Sequence, residues 1–266
     1  MTRLVKNLMF FSMMAFAVNA EKIDLFILAG QSNAQGWQGN AQFYPEDPEG
    51  LDRTIRFYWF TPRFSNSGGK WTTMQSQKGR FKMGHFGLEV SFARELKKAG
   101  YNPAIFKYSL GATSLAGSWR LPGQGGLYDK MKKEFAHAVQ LLKDQGHEVR
   151  MSGFIWIQGE NDAQNARMAA AYKGRLKIVL DDLRKNMTKC ENLPLILGVD
   201  EQHSWVKKNP RIVTSLQELA REEPCSTYTT MLGLEKADRT HLKPAALVEQ
   251  GKRVFNDYRK LMSRKR

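Results

Sequence analysis

The sequence predicts a three-layer α/β/α sandwich on a parallel sheet, and three observations carry that prediction. Short apolar runs of strand type recur along the chain. Between them lie segments whose apolar residues repeat with helical period. No internal repeat, low-complexity tract or Pro/Ser-rich linker divides them. Alternation of this kind covers both faces of a parallel sheet, and residues 21–266 suffice for one large domain with a substantial core.

In chain order, the first twenty residues read as a signal peptide. Arg3 and Lys6 give a positive start, and Leu8 to Val18 form an apolar run too short to span a bilayer. Val18-Asn19-Ala20 has the small-residue cleavage pattern, so the mature chain is expected to begin at Glu21, secreted or periplasmic. An uncleaved anchor is the alternative. No later stretch is apolar enough to cross a membrane, so no stable insertion is expected after cleavage.

The first strand is expected over Leu25 to Ala29, a continuous apolar run suited to a sheet buried on both faces. Gly30 permits a tight exit, which places Ser32 just past the carboxyl end of the strand, where open α/β sheets hold ligands. Ser32 is therefore a candidate nucleophile; a turn serine capping the next segment is the plainer reading. Phe43 to Arg80 fits the alternation less well and is expected to add a strand near Ile55 to Trp59 and loops that rim the site. Leu88, Phe92, Leu96 and Ala99 share a helical face stopped by Gly100. A strand over Ala104 to Tyr108 leads into the loop Ser109 to Ser114. The next helix carries Leu127, Met131, Phe135, Ala138 and Leu142 inward and ends at Gly146. Phe154 to Ile157 is a third strand, followed by Gln158-Gly159-Glu160-Asn161-Asp162. A long helix then has Met168, Tyr172, Leu176, Val179, Leu183 and Met187 on its inner face. Strand Leu195 to Val199 precedes a helix opened by Asn209-Pro210 and halted by Pro224, with Ile212, Leu216 and Leu219 inward. After a strand over Thr227 to Leu232, Pro244 opens the last helix, striped by Leu247, Gly251, Val254, Tyr258 and Leu261.

The formal net charge is +15, and removing Arg3 and Lys6 with the leader leaves +13. That balance favours polyanions, but the cations are scattered over helix faces and no nucleic-acid motif is present. A nucleic-acid partner is not expected. Cys190 and Cys225 each precede a predicted strand, so one disulfide or two buried free thiols are the alternatives. Two cysteines without a close histidine make a poor metal site, and neither metal nor cofactor is expected.

The chemistry follows from the loops at the carboxyl edge. A serine hydroxyl needs an imidazole to take its proton, and that imidazole needs a carboxylate to fix its tautomer. Asp238 and His241, three residues apart before the last helix, can supply both. The Ser32 amide, the Gly111 amide and the Gln158 side chain begin loops at this edge and are the expected oxyanion donors, each worth about 3 kcal/mol of barrier. Against this, Asp238 as the N-cap of the last helix and His241 as a solvated turn residue are the plainer roles. His137 and His147 read as exposed, and His203, beside Trp205, as a residue that could rim a pocket. Glu160 and Asp162 could be read as a glycosidase pair. The preferred reading has Glu160 supporting Gln158 or Gln31 and Asp162 capping the long helix. Gly30 to Gly36 lacks the lysine of a phosphate-binding loop.

Gly30-Gln31-Ser32-Asn33-Ala34, Gly111-Ala112-Thr113-Ser114 with Trp119, Trp156-Ile157-Gln158-Gly159-Glu160-Asn161-Asp162 and Asp238-x-x-His241 occur in that order. Together with Gly87-Leu88-Glu89 and Phe92-Ala93, they resemble the blocks of the SGNH hydrolase superfamily. The closer resemblance is to its sialate O-acetylesterase and acetylxylan esterase branch, over Ile23 to about Tyr258. The resemblance implies a flavodoxin-like sandwich, a metal-free Ser32–His241–Asp238 mechanism and O-acetylated carbohydrate substrates. Gln31, Asn33, Thr113, Trp119, Glu160 and Asn161 fall in its blocks as supporting or pocket residues. Gln158 stands where the wider superfamily often has asparagine, with Asn161 as the alternative donor. Ala34 breaks the G-x-S-x-G elbow of α/β-hydrolases, and the close Asp–His spacing also excludes that fold.

An exported carbohydrate O-acetylesterase is thus expected. The alternatives are a catalytically silent glycan-binding protein on the same fold and a lipase or thioesterase of the superfamily. No lid-like apolar segment favours the last. Arg239 and Lys243 flank His241, and Arg80, Lys82, Lys107 and Arg120 fall near predicted site loops. These would suit an anionic sugar, whereas the compact chain leans towards a xylan-type substrate.

Overall fold

The computed structural model describes residues 20–264. The leader expected over residues 1–20 lies, but for Ala20, outside them. Six parallel strands form the body of the sheet: β1 (Lys22–Gly30), β2 (Arg56–Thr61), β5 (Pro103–Ser109), β6 (Glu148–Ile157), β7 (Leu195–Val199) and β8 (Ser226–Thr230). Their spatial order is β2-β5-β1-β6-β7-β8, and two short strands, β3 (Ser65–Asn66) and β4 (Thr72–Thr73), pair antiparallel with β2. Setting β2 aside, the chain first steps from β1 to one neighbour, β5, and then crosses to the other, β6. That reversal opens a crevice at the carboxyl end of β1, the general ligand position of doubly wound sheets.

Alternation along β1 divides the core into two layers. Ile23, Leu25, Ile27 and Ala29 face the helices α3 (Leu127–Asp144), α5 (Ala166–Asp182) and α7 (Arg211–Glu222), whereas Phe26 and Leu28 face α2 (Glu89–Lys98) and α8 (Pro244–Ser263). Burial of these apolar side chains on both faces, at about 25 cal/mol per Å² of area, is the main drive for closing the sandwich. α2 and α8 cross closely at Gly251, where a Cβ would stand 2.2 Å from the Leu88 carbonyl oxygen. Ser91 Oγ donates to the Val248 carbonyl at 2.6 Å across the same contact.

Several boundaries differ from the sequence reading. β6 begins at Glu148, because backbone pairing with β1 continues where the side chains are no longer apolar. A register shift beside Leu25 and Phe26 absorbs one extra residue there. β8 stops at Thr230, and Leu232 is exposed. Ala99, expected inward, is exposed beyond the end of α2. The long helix passes into a π-helical turn at Leu183–Met187, which leaves Met187 half-buried. Cys190 and Cys225 are both free and half-buried, so the disulfide alternative is not realised. Among the described residues no helix is long and apolar enough to cross a membrane.

Candidate active site

The Ser32 loop is fixed from both sides. The Gly30 carbonyl accepts from Leu110 N at 3.1 Å, and Gln31 N donates to the Ile157 carbonyl at 3.0 Å. Gly30 has φ +145°, and a Cβ there would stand 2.0 Å from the Ile157 carbonyl oxygen, so only glycine makes this exit. Ser32 opens the short helix α1 (Ser32–Gln35), which ends at left-handed Gly36. Ser32 is buried, and its hydroxyl has no hydrogen-bond partner among the described residues.

At the other end of the chain, residues 235–243 form a loop closed at its base. Lys243 N donates to the Glu235 carbonyl at 3.0 Å and Ala237 N to the His241 carbonyl at 2.8 Å. Within it the His241 Nδ1 lies 2.8 Å from Asp238 Oδ2 and 3.0 Å from Oδ1. Asp238 also accepts from Gln38 Nε2 (2.9 Å), Thr240 N (2.7 Å) and His241 N (2.9 Å). Burial by itself would raise its carboxyl, but the bonds from Gln38, His241 and Thr240 outweigh that and hold it far below the usual carboxylate range. Asp238 is not the cap of α8, since Lys243 occupies that position.

Asn33 joins the two ends. Its Oδ1 accepts from Leu242 N at 3.2 Å and its Nδ2 donates to the Thr240 carbonyl at 3.4 Å. The residue after Ser32 is thus bonded to the residues on both sides of His241, two hundred and more positions away in sequence. No hydrogen bond links Ser32 Oγ to the ring in this conformation. Trp37 lies beside the ring, its centroid 6.0 Å away.

The three expected oxyanion donors are not equivalent. Ser32 N–H has no acceptor among the described residues. Gly111 lies against Ser32, where a Cβ would be 3.4 Å from the serine Cβ, but its N–H donates to Gln35 Oε1 at 2.8 Å. Gln158 is fully buried, and its Nε2 donates to Asp162 Oδ2 (2.8 Å) and the Thr113 carbonyl (3.0 Å), with Gln31 Oε1 at 3.4 Å. Tyr172 O–H faces both oxygens of Gln158.

Other expectations are corrected by burial. Trp119 does not line a pocket: it is fully buried and donates to Thr113 Oγ1 at 3.1 Å. Thr113 is itself buried and braces the same loop by donating to the Leu110 carbonyl. Asp162 does not cap the long helix, which Asn165 caps; its carboxylate accepts from Leu115 N and Ala116 N instead. Glu160 bonds neither Gln158 nor Gln31 but accepts from Asp200 N at 3.3 Å. Burial, reinforced by the Asp200 charge, raises the Glu160 carboxyl to about 7. Asn161 is half-buried. His203 is buried and caps a short helix, α6 (Ser204–Lys208), by accepting from Trp205 N. The His137 ring meets the Gly69 carbonyl, and the His147 ring meets Glu21 N and Arg56; among the described residues neither ring bonds Ser32, Asp238 or His241.

The sequence reading missed Gln35, Gln38, Asp200 and Lys236, and it quoted Glu89 without giving it a role. Lys236 forms an ion pair with buried Asp200 and so ties the histidine loop to the end of β7. Lys107, expected near the site loops as a cation suited to an anionic sugar, is instead fully buried with Glu89 (2.8 Å) and donates to the Gln35 carbonyl at 3.0 Å. A lysine inside the apolar run Ala104 to Tyr108 was the signal that a buried acid had to exist. Among the described residues no group of three or more His, Cys, Asp or Glu is arranged to hold a metal.

The comparisons agree with this architecture. The profile described as carbohydrate esterase, sialic acid-specific acetylesterase matches residues 22–260. Among solved structures, a protein from Arabidopsis thaliana shares 20% identity with a TM-score of 0.68, over 91% of this chain and 98% of that one. NanS shares 14% identity with a TM-score of 0.62, over 93% and 99%. A carbohydrate acetylesterase from Xanthomonas citri shares 18% identity with a TM-score of 0.57, over 90% of this chain and 56% of that longer one. No curated protein matches the sequence. At these identities the neighbours establish the SGNH hydrolase fold, and the profile establishes the family: the chain belongs to the carbohydrate esterase, sialic acid-specific acetylesterase family and is a carboxylic ester hydrolase.

Proposed function

We propose that the chain is an exported serine esterase that removes O-acetyl groups from carbohydrates, its single domain running from residue 21 after the leader is cleaved. Ser32 Oγ attacks the acetyl carbon while His241 takes its proton; the sugar hydroxyl leaves with that proton, and the acetyl group stays on Ser32. Water then gives a proton to His241 and attacks the acetyl-enzyme, and acetate leaves as Ser32 is reprotonated. Asp238 holds the imidazole tautomer and stabilises the imidazolium. Ser32 N–H is free to meet the oxyanion. Gly111 N–H joins it once the Gln35 side chain turns away, and Gln158 Nε2 by releasing the Thr113 carbonyl.

The observation that supports this most is the pair of Asn33 bonds, which bring the Asp238–His241 couple to the residue next to the serine. The substrate is an acetylated xylan or an acetylated acidic sugar such as a sialic acid. Ser32→Ala should abolish acetate release from acetylated sugars and from an aryl acetate while the melting temperature holds. Undiminished turnover would refute the assignment.

A further inference from the structure

One turn of the chain touches all three members of the proposed catalytic set. We propose that Gln38, presented by the turn of residues 36–39, is a positioning residue for the esterase: it fixes the Asp238 oxygen that faces the His241 ring and so keeps the imidazole aligned on Ser32. The proposal rests on the serine-esterase reading and adds a fourth side chain to it.

The turn follows α1 directly. Trp37 N donates to the Ser32 carbonyl at 2.9 Å, and the Trp37 ring lies beside the His241 ring, their centroids 6.0 Å apart. The next residue, Gln38, donates from Nε2 to Asp238 Oδ2 at 2.9 Å. Two adjacent residues therefore reach the backbone of the serine, the imidazole and the carboxylate, although Asp238 lies 200 positions away in sequence.

The two oxygens of Asp238 are held differently. Oδ1 accepts from Thr240 N (2.7 Å), Thr240 Oγ1 (3.0 Å) and His241 N (2.9 Å), all within the loop of residues 235–243. Oδ2 lies nearer the His241 Nδ1, at 2.8 against 3.0 Å, and among the described residues its only other hydrogen-bond partner is Gln38. The Asp238 side chain is 39% exposed, so water would compete for that oxygen if Gln38 were absent. Burial pushes the carboxyl up, and of the bonds that overcome it the one from Gln38 is the strongest. A bond to an ionised acceptor is short and directional, so it sets the plane of the carboxylate as well as stabilising its charge. That plane in turn decides where the imidazole points.

The turn that carries Gln38 is itself fastened on two sides. Gly39 N donates to the Gly36 carbonyl at 2.9 Å, and Phe86 N donates to the Gly39 carbonyl at 2.8 Å. A Cβ at Gly36 or Gly39 would stand 2.0 or 1.9 Å from the Phe86 carbonyl oxygen, so both ends of the turn press against that residue. On the other side Arg80 Nε donates to the Trp37 carbonyl at 3.1 Å. The Arg80 guanidinium lies 4.1 Å from the centroid of the Trp37 ring and 4.9 Å from that of Phe81. A side chain presented from a fastened turn has less freedom to lose on making its bond, which suits a group that orients another.

The test measures kcat and KM of the mature chain on an aryl acetate for the wild type, Gln38→Met, Gln38→Glu, Asp238→Asn and the double variant Gln38→Met with Asp238→Asn. Gln38→Met should lower kcat about tenfold with KM held within about twofold, at an unchanged melting temperature. Gln38→Glu keeps the shape but repels Asp238, and should lose at least as much. With Asp238→Asn already in place, Gln38→Met should cost less than about twofold, because no carboxylate remains to be oriented. Undiminished kcat in both Gln38 variants, or an equal loss from Gln38→Met in the two backgrounds, overturns the positioning role and leaves the esterase reading standing. Absence of turnover on the aryl acetate, or its persistence in Ser32→Ala, overturns that reading and the positioning role with it.

Discussion

Asp238 is the residue whose environment speaks most directly to chemistry. It is partly exposed, yet Gln38, Thr240 and His241 all donate to it and keep it ionised. Asp238→Asn would replace an acceptor facing the His241 Nδ1 with an amide that can present the wrong atom. The expected loss in kcat/KM is smaller than for Ser32→Ala or His241→Ala, because Thr240 Oγ1 also lies 2.9 Å from Nδ1. Steady-state kinetics on one acetyl ester would rank the three variants. Glu160 gives a pH prediction. Its folded carboxyl is raised to about 7 from an ordinary value of 4.5, so folding favours the protonated form. The stability it contributes is full below pH 4.5 and is lost as pH rises to 7, by about 3 kcal/mol in all. Urea unfolding at several pH values should show that Glu160→Gln gains on the wild type across this interval. A constant difference between the two would contradict the assignment. At this scale the sequence could single out Ser32, His241 and Asp238 as candidates, because a serine after a glycine exit and a D-x-x-H turn are local signals. It could not announce Gln35, Gln38 or Asp200, whose partners are distant along the chain and follow no spacing rule.

Among elements, α1 and the α2–α8 crossing carry the most specific consequences. Lys107 and Glu89, both fully buried, support α1 from beneath through the Gln35 carbonyl, and Glu89 also accepts from Gln77 Nε2 and Gly87 N. Lys107→Met would leave that carboxylate buried without its cation, at a cost of about 3–5 kcal/mol. Lys107→Met combined with Glu89→Gln should recover a large part of it, which a denaturant titration of the three proteins would read. Gly251→Ala would drive a methyl into the Leu88 carbonyl and Ser91 Oγ, and forcing α2 and α8 apart should cost about 1–3 kcal/mol or more. An unchanged melting temperature would mean that the helices separate freely. The strand–helix alternation was legible because strands such as β1 and β7 bury apolar side chains on both faces and the helices keep a stripe, as in Leu247, Val254 and Tyr258. The errors lie at ends, where backbone pairing rather than side-chain polarity decides. β6 runs on through Glu148 and Arg150 because β1 offers partners there.

On the scale of the whole molecule, the +15 charge divides into cations that structure the protein and cations left over. Arg94, Arg184 and Lys236 are tied to Asp52, Glu223 and Asp200, and Lys107 is spent in the core. Net charge alone could not separate these classes, because pairing depends on the fold. Lys107 was for this reason read as a site-loop cation suited to an anionic sugar, whereas the fold buries it against Glu89. All proton transfers in the proposed reaction are assigned to side chains, so dialysis against a strong chelator should leave acetate release unchanged. Loss of activity, restored by adding a metal, would contradict that mechanism.

The central claim is that Ser32 carries the acetyl group between the sugar and water. Acid quenching during aryl acetate turnover, followed by peptide mass analysis, tests it most directly. One added acetyl group is expected on the peptide containing Ser32 in the wild type, and none in Ser32→Ala. Turnover with Ser32 unmodified in the quenched wild type, and persisting in Ser32→Ala, would contradict it.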